Sequence, residues 1–127
     1  MADELEFLRK SAAAINLRMI RRAKDIFEIG KILLDVKERL GHGNWMAWLD
    51  QEFGMSKSTA ENIMRATREF HWQKNKVENI SVAALYELSR RSAKKETVDE
   101  ILRRSECGER IELSDVRRVA ALHKAAT

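Results

Sequence analysis

Proline is absent from this chain, glycine occurs only five times and cysteine once. Proline breaks helix interiors and glycine weakens them, so their scarcity favours long, uninterrupted helices. With Cys107 alone, a disulfide within the chain is impossible, which suits a reducing compartment. No apolar run approaches the roughly 20 residues needed to span a bilayer. The opening MADELEFLRK is charged and lacks the apolar centre of a signal peptide, so a soluble cytoplasmic protein is expected. Nor is there a strong excess of one charge: the formal net charge is +4.

What is present points to an all-α protein. Its 127 residues suit one domain, long enough to bury roughly two-thirds of the unfolded surface. Hydrophobic residues make up 44% and charged residues 35%, a globular rather than a disordered balance. Ala, Leu, Glu, Lys and Arg, all good helix formers, are abundant.

One stretch has a spacing tied to a single biochemical task. Met46 to Arg65, MAWLDQEFGMSKSTAENIMR, reads as a helix, a glycine turn and a second helix opening on small polar residues. Leu49, Phe53, Met55, Ala60 and Ile63 occupy the apolar positions of a twenty-residue helix-turn-helix, with Gly54 at the turn. In such a unit the second helix enters the DNA major groove. Asp50 stands where a small residue normally faces the second helix, and Ala60 is smaller than the usual branched aliphatic. Trp45 or Trp48 could supply the missing volume.

Along the rest of the chain, residues 4–40 read as one long helix, with Ser11 to Asn16 the place where a break would fall. It carries two apolar stripes: Ile20, Ala23, Phe27, Gly30 and Leu34, and beside them Ile26, Ile29, Leu33, Val36 and Leu40. One stripe can serve the core and the other a second subunit, so a homodimer is expected. Gly30 suggests the close approach of another helix. Gly41 to Asn44 ends this helix, and Asn44 can cap the next. Ser56 can cap the helix running to about Phe70, with Ser58 and Glu61 a second capping-box register. Residues 71–79 are polar and read as a connecting loop, the one seam in the chain. Ser81 can cap a helix to about Arg91, a further helix covers Thr97 to Glu106 with Gly108 as its stop, and Ser114 can cap the last. Three parts follow: a packing and dimerisation helix at 1–40, a helix-turn-helix at 44–70 and a C-terminal helical subdomain at 81–124.

Helix geometry names the DNA-facing residues. Lys57, Ser58, Glu61, Asn62 and Arg65 share the face opposite Ala60 and Ile63. Asn62 could pair with adenine and Arg65 with guanine. Ser56, Lys57, Thr59 and the helix N-terminus favour phosphate, and Arg68 would reach the backbone further along. Glu61 could accept from a cytosine amino group or serve its own helix as a cap. From Met55 to Lys76 there are five bases and two acids, a local +3, although residues 41–80 as a whole carry five of each. A second basic cluster, Arg18, Arg21, Arg22 and Lys24, lies in the N-terminal region and could assist phosphate contact.

No catalytic constellation emerges. His42, His71 and His123 are far apart and lack metal-ligand spacing with Cys107. Gly41-His42-Gly43 is too short for a phosphate loop. Trp45 and Trp48 lie three apart beside Leu49 and read as core, whereas Trp72 sits among basic residues and stays open to stacking on a base. No enzyme activity, metal, cofactor or small-molecule substrate is expected.

The run from Ile29 to Phe70 resembles an uncharacterised helical domain family of bacteria, phages and mobile elements with a helix-turn-helix-like core. Gly41, Gly43, Trp48, Gly54, Ser56, Thr59, Ala60 and Met64 carry the likeness, and the later runs LYELSRRS and ECGERIELSDV continue it. The resemblance implies a DNA-binding or regulatory role and carries over no residue-level function. The expectation is a small cytoplasmic protein that binds double-stranded DNA, a transcriptional regulator or accessory factor. The alternative is a helical module that sequesters or inhibits a protein partner, its hairpin being architecture only.

Overall fold

A computed structural model describes residues 2–17, 23–53 and 55–126. Among them every regular element is helical. In chain order these are α1 (Ala2–Leu17), α2 (Ala23–Leu40), α3 (His42–Phe53), α4 (Lys57–Phe70), a 3-10 turn (His71–Gln73), α5 (Lys74–Val77), α6 (Val82–Leu88), α7 (Lys95–Glu106) and α8 (Leu113–Ala126).

The centre of the molecule is α2, and its principal neighbour is α4, with α1, α3, α5 and α6 packed around it. Its residues explain why. Ala23, Ile26, Phe27, Ile29, Gly30, Leu33 and Val36 are all buried, taken from both apolar stripes. Each large side chain so removed from water contributes about 1.5–3 kcal/mol. Most of both stripes is therefore packed inside the chain, with Leu34 and Leu40 left half-buried. Gly30 fulfils its expectation: a Cβ there would overlap the Thr67 hydroxyl of α4. That hydroxyl lies 2.8 Å from the Ile63 carbonyl oxygen and 3.3 Å from that of Ile26, so it bonds α4 to itself and to α2.

The single helix expected over residues 4–40 is not what forms. The Arg39 guanidinium lies 3.8 Å from the centre of the Phe7 ring, whereas one continuous helix would hold these residues about 48 Å apart at 1.5 Å per residue. Instead α1 lies alongside α2. Arg18, Arg21 and Arg22 of the basic cluster lie outside the described residues.

Two caps are also displaced from their expected places. Gly41, at φ +77, ends α2 with its N–H on the Lys37 carbonyl, and its own carbonyl then accepts from the Trp45 N–H. Helix α3 thus restarts at once, and Asn44 lies inside its first turn, donating to the Leu40 carbonyl at 3.4 Å rather than capping. At α8 the Asp115 carboxylate accepts from the Glu112 N–H at 2.8 Å, and Ser114 lies within the helix. The carboxylate three residues in reaches back to the amide that precedes the helix, which sets the start of α8 ahead of Ser114.

Residues 71–79 form no simple loop. The 3-10 turn leads into α5, which buries Val77 and packs on α7. Ile80 and Ile111 then meet in an isolated parallel bridge, with the Ile111 N–H on the Asn79 carbonyl at 2.8 Å and the Ser81 N–H on the Ile111 carbonyl at 2.9 Å. Ser81 caps α6 as expected, accepting from the Ala84 N–H. Gly108, at φ +97, terminates α7. Buried residues from α1 through α8 form one continuous hydrophobic core.

Candidate nucleic-acid interface

The residues named from sequence lie on α4 and its cap, and the local sequence shows how that helix is positioned. Ser56 is extended, at φ −71 and ψ 154, and its hydroxyl oxygen accepts from the Thr59 N–H at 3.1 Å. This fixes the first turn and satisfies one of its orphan donors. Ala60, Ile63, Met64, Ala66, Thr67 and Phe70 are buried. The opposite edge is polar.

Six of the eight residues named from sequence are exposed: Ser56, Lys57, Ser58, Thr59, Glu61 and Arg68. Asn62 and Arg65 are half-buried and engage each other, the Arg65 guanidinium donating to the Asn62 side-chain oxygen at 2.7 Å. The Nε of Arg65 is fully buried with no hydrogen-bond partner among the described residues. Glu61 sits 3.8 Å from the Lys57 ammonium. It is a partner of Lys57 one turn away, not half of a capping box with Ser58, because Ser56 already holds the cap.

The supporting helix differs from the expected unit in two respects, the exposure of Asp50 and the packing of both helices on α2 rather than on each other. Leu49 is buried and Phe53 and Met55 are half-buried, as the spacing predicts, but Asp50 is exposed. Helix α4 rests mainly on α2, as does α3. The turn residue Gly54 lies outside the described residues. Trp45 and Trp48 are core, with ring centres 6.1 Å apart, and Phe53 packs edge-on to Trp48 at 5.2 Å. Trp72 is the opposite case, 70% exposed in the 3-10 turn.

Beside Trp72 opens a cleft of about 860 Å³ between the C-terminal half of α4, the 3-10 turn and α5 on one side and α6–α7 on the other. Arg65, Arg68, Lys76, Arg90, Arg91 and Arg103 line it, against the carboxylates of Glu69, Asp99 and Glu106, a net +3. Arg90 has Glu87 at 3.8 Å. Arg68, Lys76, Arg91 and Arg103 have no ion-pair partner among the described residues. Sequence reasoning missed Arg90, Arg91 and Arg103 as site residues. The adjacent Arg90-Arg91 was visible, but nothing in the linear order says that a chain segment 25 residues on returns to the side of Arg65. Lys24, the described member of the N-terminal cluster, borders a separate hollow with Lys74 and Arg110.

Among the described residues no group of three His, Cys, Asp or Glu could hold a metal ion, and Cys107 is free and exposed. No helix among them is long and apolar enough to cross a membrane.

A family model described as "Protein of unknown function (DUF3102)" matches residues 1–100. The chain belongs to this family. The DUF3102 match takes in the whole Ile29–Phe70 run and the LYELSRRS segment, and it ends inside α7. Within it lie all eight residues named on α4 and most of the cleft; Arg103 and α8 fall beyond it. No curated protein and no solved structure matches the chain.

Proposed function

We propose that the protein binds double-stranded DNA through the outward edge of α4, as a small transcriptional regulator or accessory factor of a bacterium or mobile element. In this reading α3 and α4 act as a helix-turn-helix with α2 as the third helix of the unit. The observation that carries it is the first half of α4. Its N-terminus is capped by Ser56, and Lys57, Ser58, Thr59 and Glu61 are exposed beside the half-buried Asn62 and Arg65. A helix N-terminus with exposed hydroxyls and a lysine favours phosphate. Asn62 is half-buried with its amide oxygen held by Arg65, so pairing with adenine through both oxygen and nitrogen requires that contact to open on binding.

If two copies bind half-sites one helical turn apart, the α2 residues buried within the chain, Ala23 to Val36 of both stripes, are not part of their contact. The competing reading is a helical module that sequesters or inhibits a protein partner, for which α1 offers the exposed Leu5.

The test is fluorescence anisotropy with labelled duplexes across about 50–200 mM salt. Lys57→Ala and Arg68→Ala should each flatten the log–log salt slope by about 0.9. Asn62→Ala should weaken binding to a selected duplex while leaving binding to random duplex nearly unchanged. Absence of binding to any duplex at the lowest salt rejects the proposal.

A further inference from the structure

The cleft between α4 and α6–α7 is a different surface from the outward edge of α4, and three observations bear on what fills it. It concentrates positive charge, with Arg68, Lys76, Arg91 and Arg103 left without an ion-pair partner among the described residues. Gathering such cations in a concave site is unfavourable for the folded chain by itself and favourable once an anion enters. At its rim stands an indole, Trp72, 70% exposed, while the other two tryptophans are buried at 2% and 6%. The cleft is also small: about 860 Å³ falls in the range that encloses a drug-sized ligand.

We propose that this cleft binds a single-stranded nucleic acid segment of one or two nucleotides, with a base stacked on Trp72 and its phosphates on Arg68, Lys76, Arg91 and Arg103. A duplex meets these requirements poorly. Its bases are already stacked and paired, so their faces are closed to the indole, and a rigid cylinder touches only the lips of a cleft. An unpaired strand offers both a free base face and a flexible chain of phosphates, the two features that aromatic and cationic grooves exploit together. An acidic peptide would match the charge but make no use of Trp72. The assignment does not depend on duplex binding by α4, although Arg65 and Arg68 lie where the two surfaces meet.

The exposed indole supplies its own probe. Oligo(dT) and oligo(U) of about ten nucleotides, titrated at low salt, should quench the solvent-exposed component of tryptophan emission and leave the buried component of Trp45 and Trp48 unchanged. Affinity measured with labelled oligonucleotide should fall roughly 5- to 150-fold in Trp72→Ala, the range of one lost base–aromatic stack, and much less in Trp72→Phe, which keeps a ring. Arg91→Ala and Arg103→Ala should each flatten the salt slope by about 0.7. All these side chains are exposed, and far-UV circular dichroism checks that the variants fold. Tighter binding of either oligonucleotide supports the assignment and names the sugar preferred. The proposal is overturned if neither oligonucleotide binds or quenches, if Trp72→Ala binds as tightly as the parent, or if a duplex quenches Trp72 more strongly than a single strand. Duplex binding by α4 is read separately through Lys57→Ala, which lies outside the cleft, so either reading can fail alone.

Discussion

At residue scale Gly30 is the one described glycine whose missing side chain's place is occupied by a neighbour, Thr67. In an ordinary helix interior, alanine in place of glycine is favourable by about 0.5–1 kcal/mol. Here the sign reverses, because the added Cβ would overlap the Thr67 hydroxyl and lie 2.7 Å from its Cβ. Gly30→Ala should therefore destabilise by about 1–3 kcal/mol, seen as a lower urea midpoint with an unchanged slope. Adding Thr67→Ala removes the hydroxyl but not the Cβ, so only partial recovery is expected. The chain's one tyrosine offers a second residue-scale test. Burial pushes the Tyr86 phenol up from 10.0 to about 12. The folded state then holds the proton to higher pH than the unfolded state does, so this group's contribution to stability is intact below pH 10.0 and declines as pH rises from there towards about 12. Phenolate absorbance should titrate near 12 in the native protein and near 10 in denaturant, and Tyr86→Phe should remove the signal.

At the scale of elements, α4 was the most legible part of the chain, for reasons that lie within its own fourteen residues. A serine before the helix, apolar side chains at Ala60, Ile63 and Met64, and polar residues between them are local signals, and the cap and the buried face both form where those signals put them. Ser56→Ala should accordingly cost about 1 kcal/mol of stability, measurable by urea unfolding, without altering what the exposed edge carries. Less legible were features set by competition between near neighbours. Asn44 and Ser114 are good capping residues, but Gly41 and the Glu112–Asp115 pair take those positions first. Residues 71–79 look like a loop because they are polar, yet Val77 suffices to dock them as α5 against α7. The stripes on α2 were seen correctly as apolar. Their destination was not legible, since periodicity says which faces are hidden but not which chain hides them. The outward half of the candidate site follows from α4 alone, whereas the cleft needs Arg65, Arg90 and Arg103 brought together by tertiary folding.

Across the whole molecule, the decisive fact is that one core runs through both halves. Helix α6 packs on α4, α5 packs on α7, and the Ile80–Ile111 bridge joins the end of α5 to the start of α8. A chain ending at residue 80 would lose the elements that cover Phe70, Val77 and Ile80, all buried in the full protein. Such a fragment should show no cooperative unfolding transition. The full chain should unfold in one step, with Trp45 and Trp48 emission and far-UV circular dichroism changing together. If the fragment instead unfolds cooperatively with parent-like tryptophan emission, the two halves are independent and the cleft is a hinge between them. The distinction reaches function, because the cations of the cleft come from both sides of residue 80. In a single cooperative unit their spacing is held by the core, so the proposed strand would find its phosphate contacts already arranged and lose less free energy to ordering them on binding.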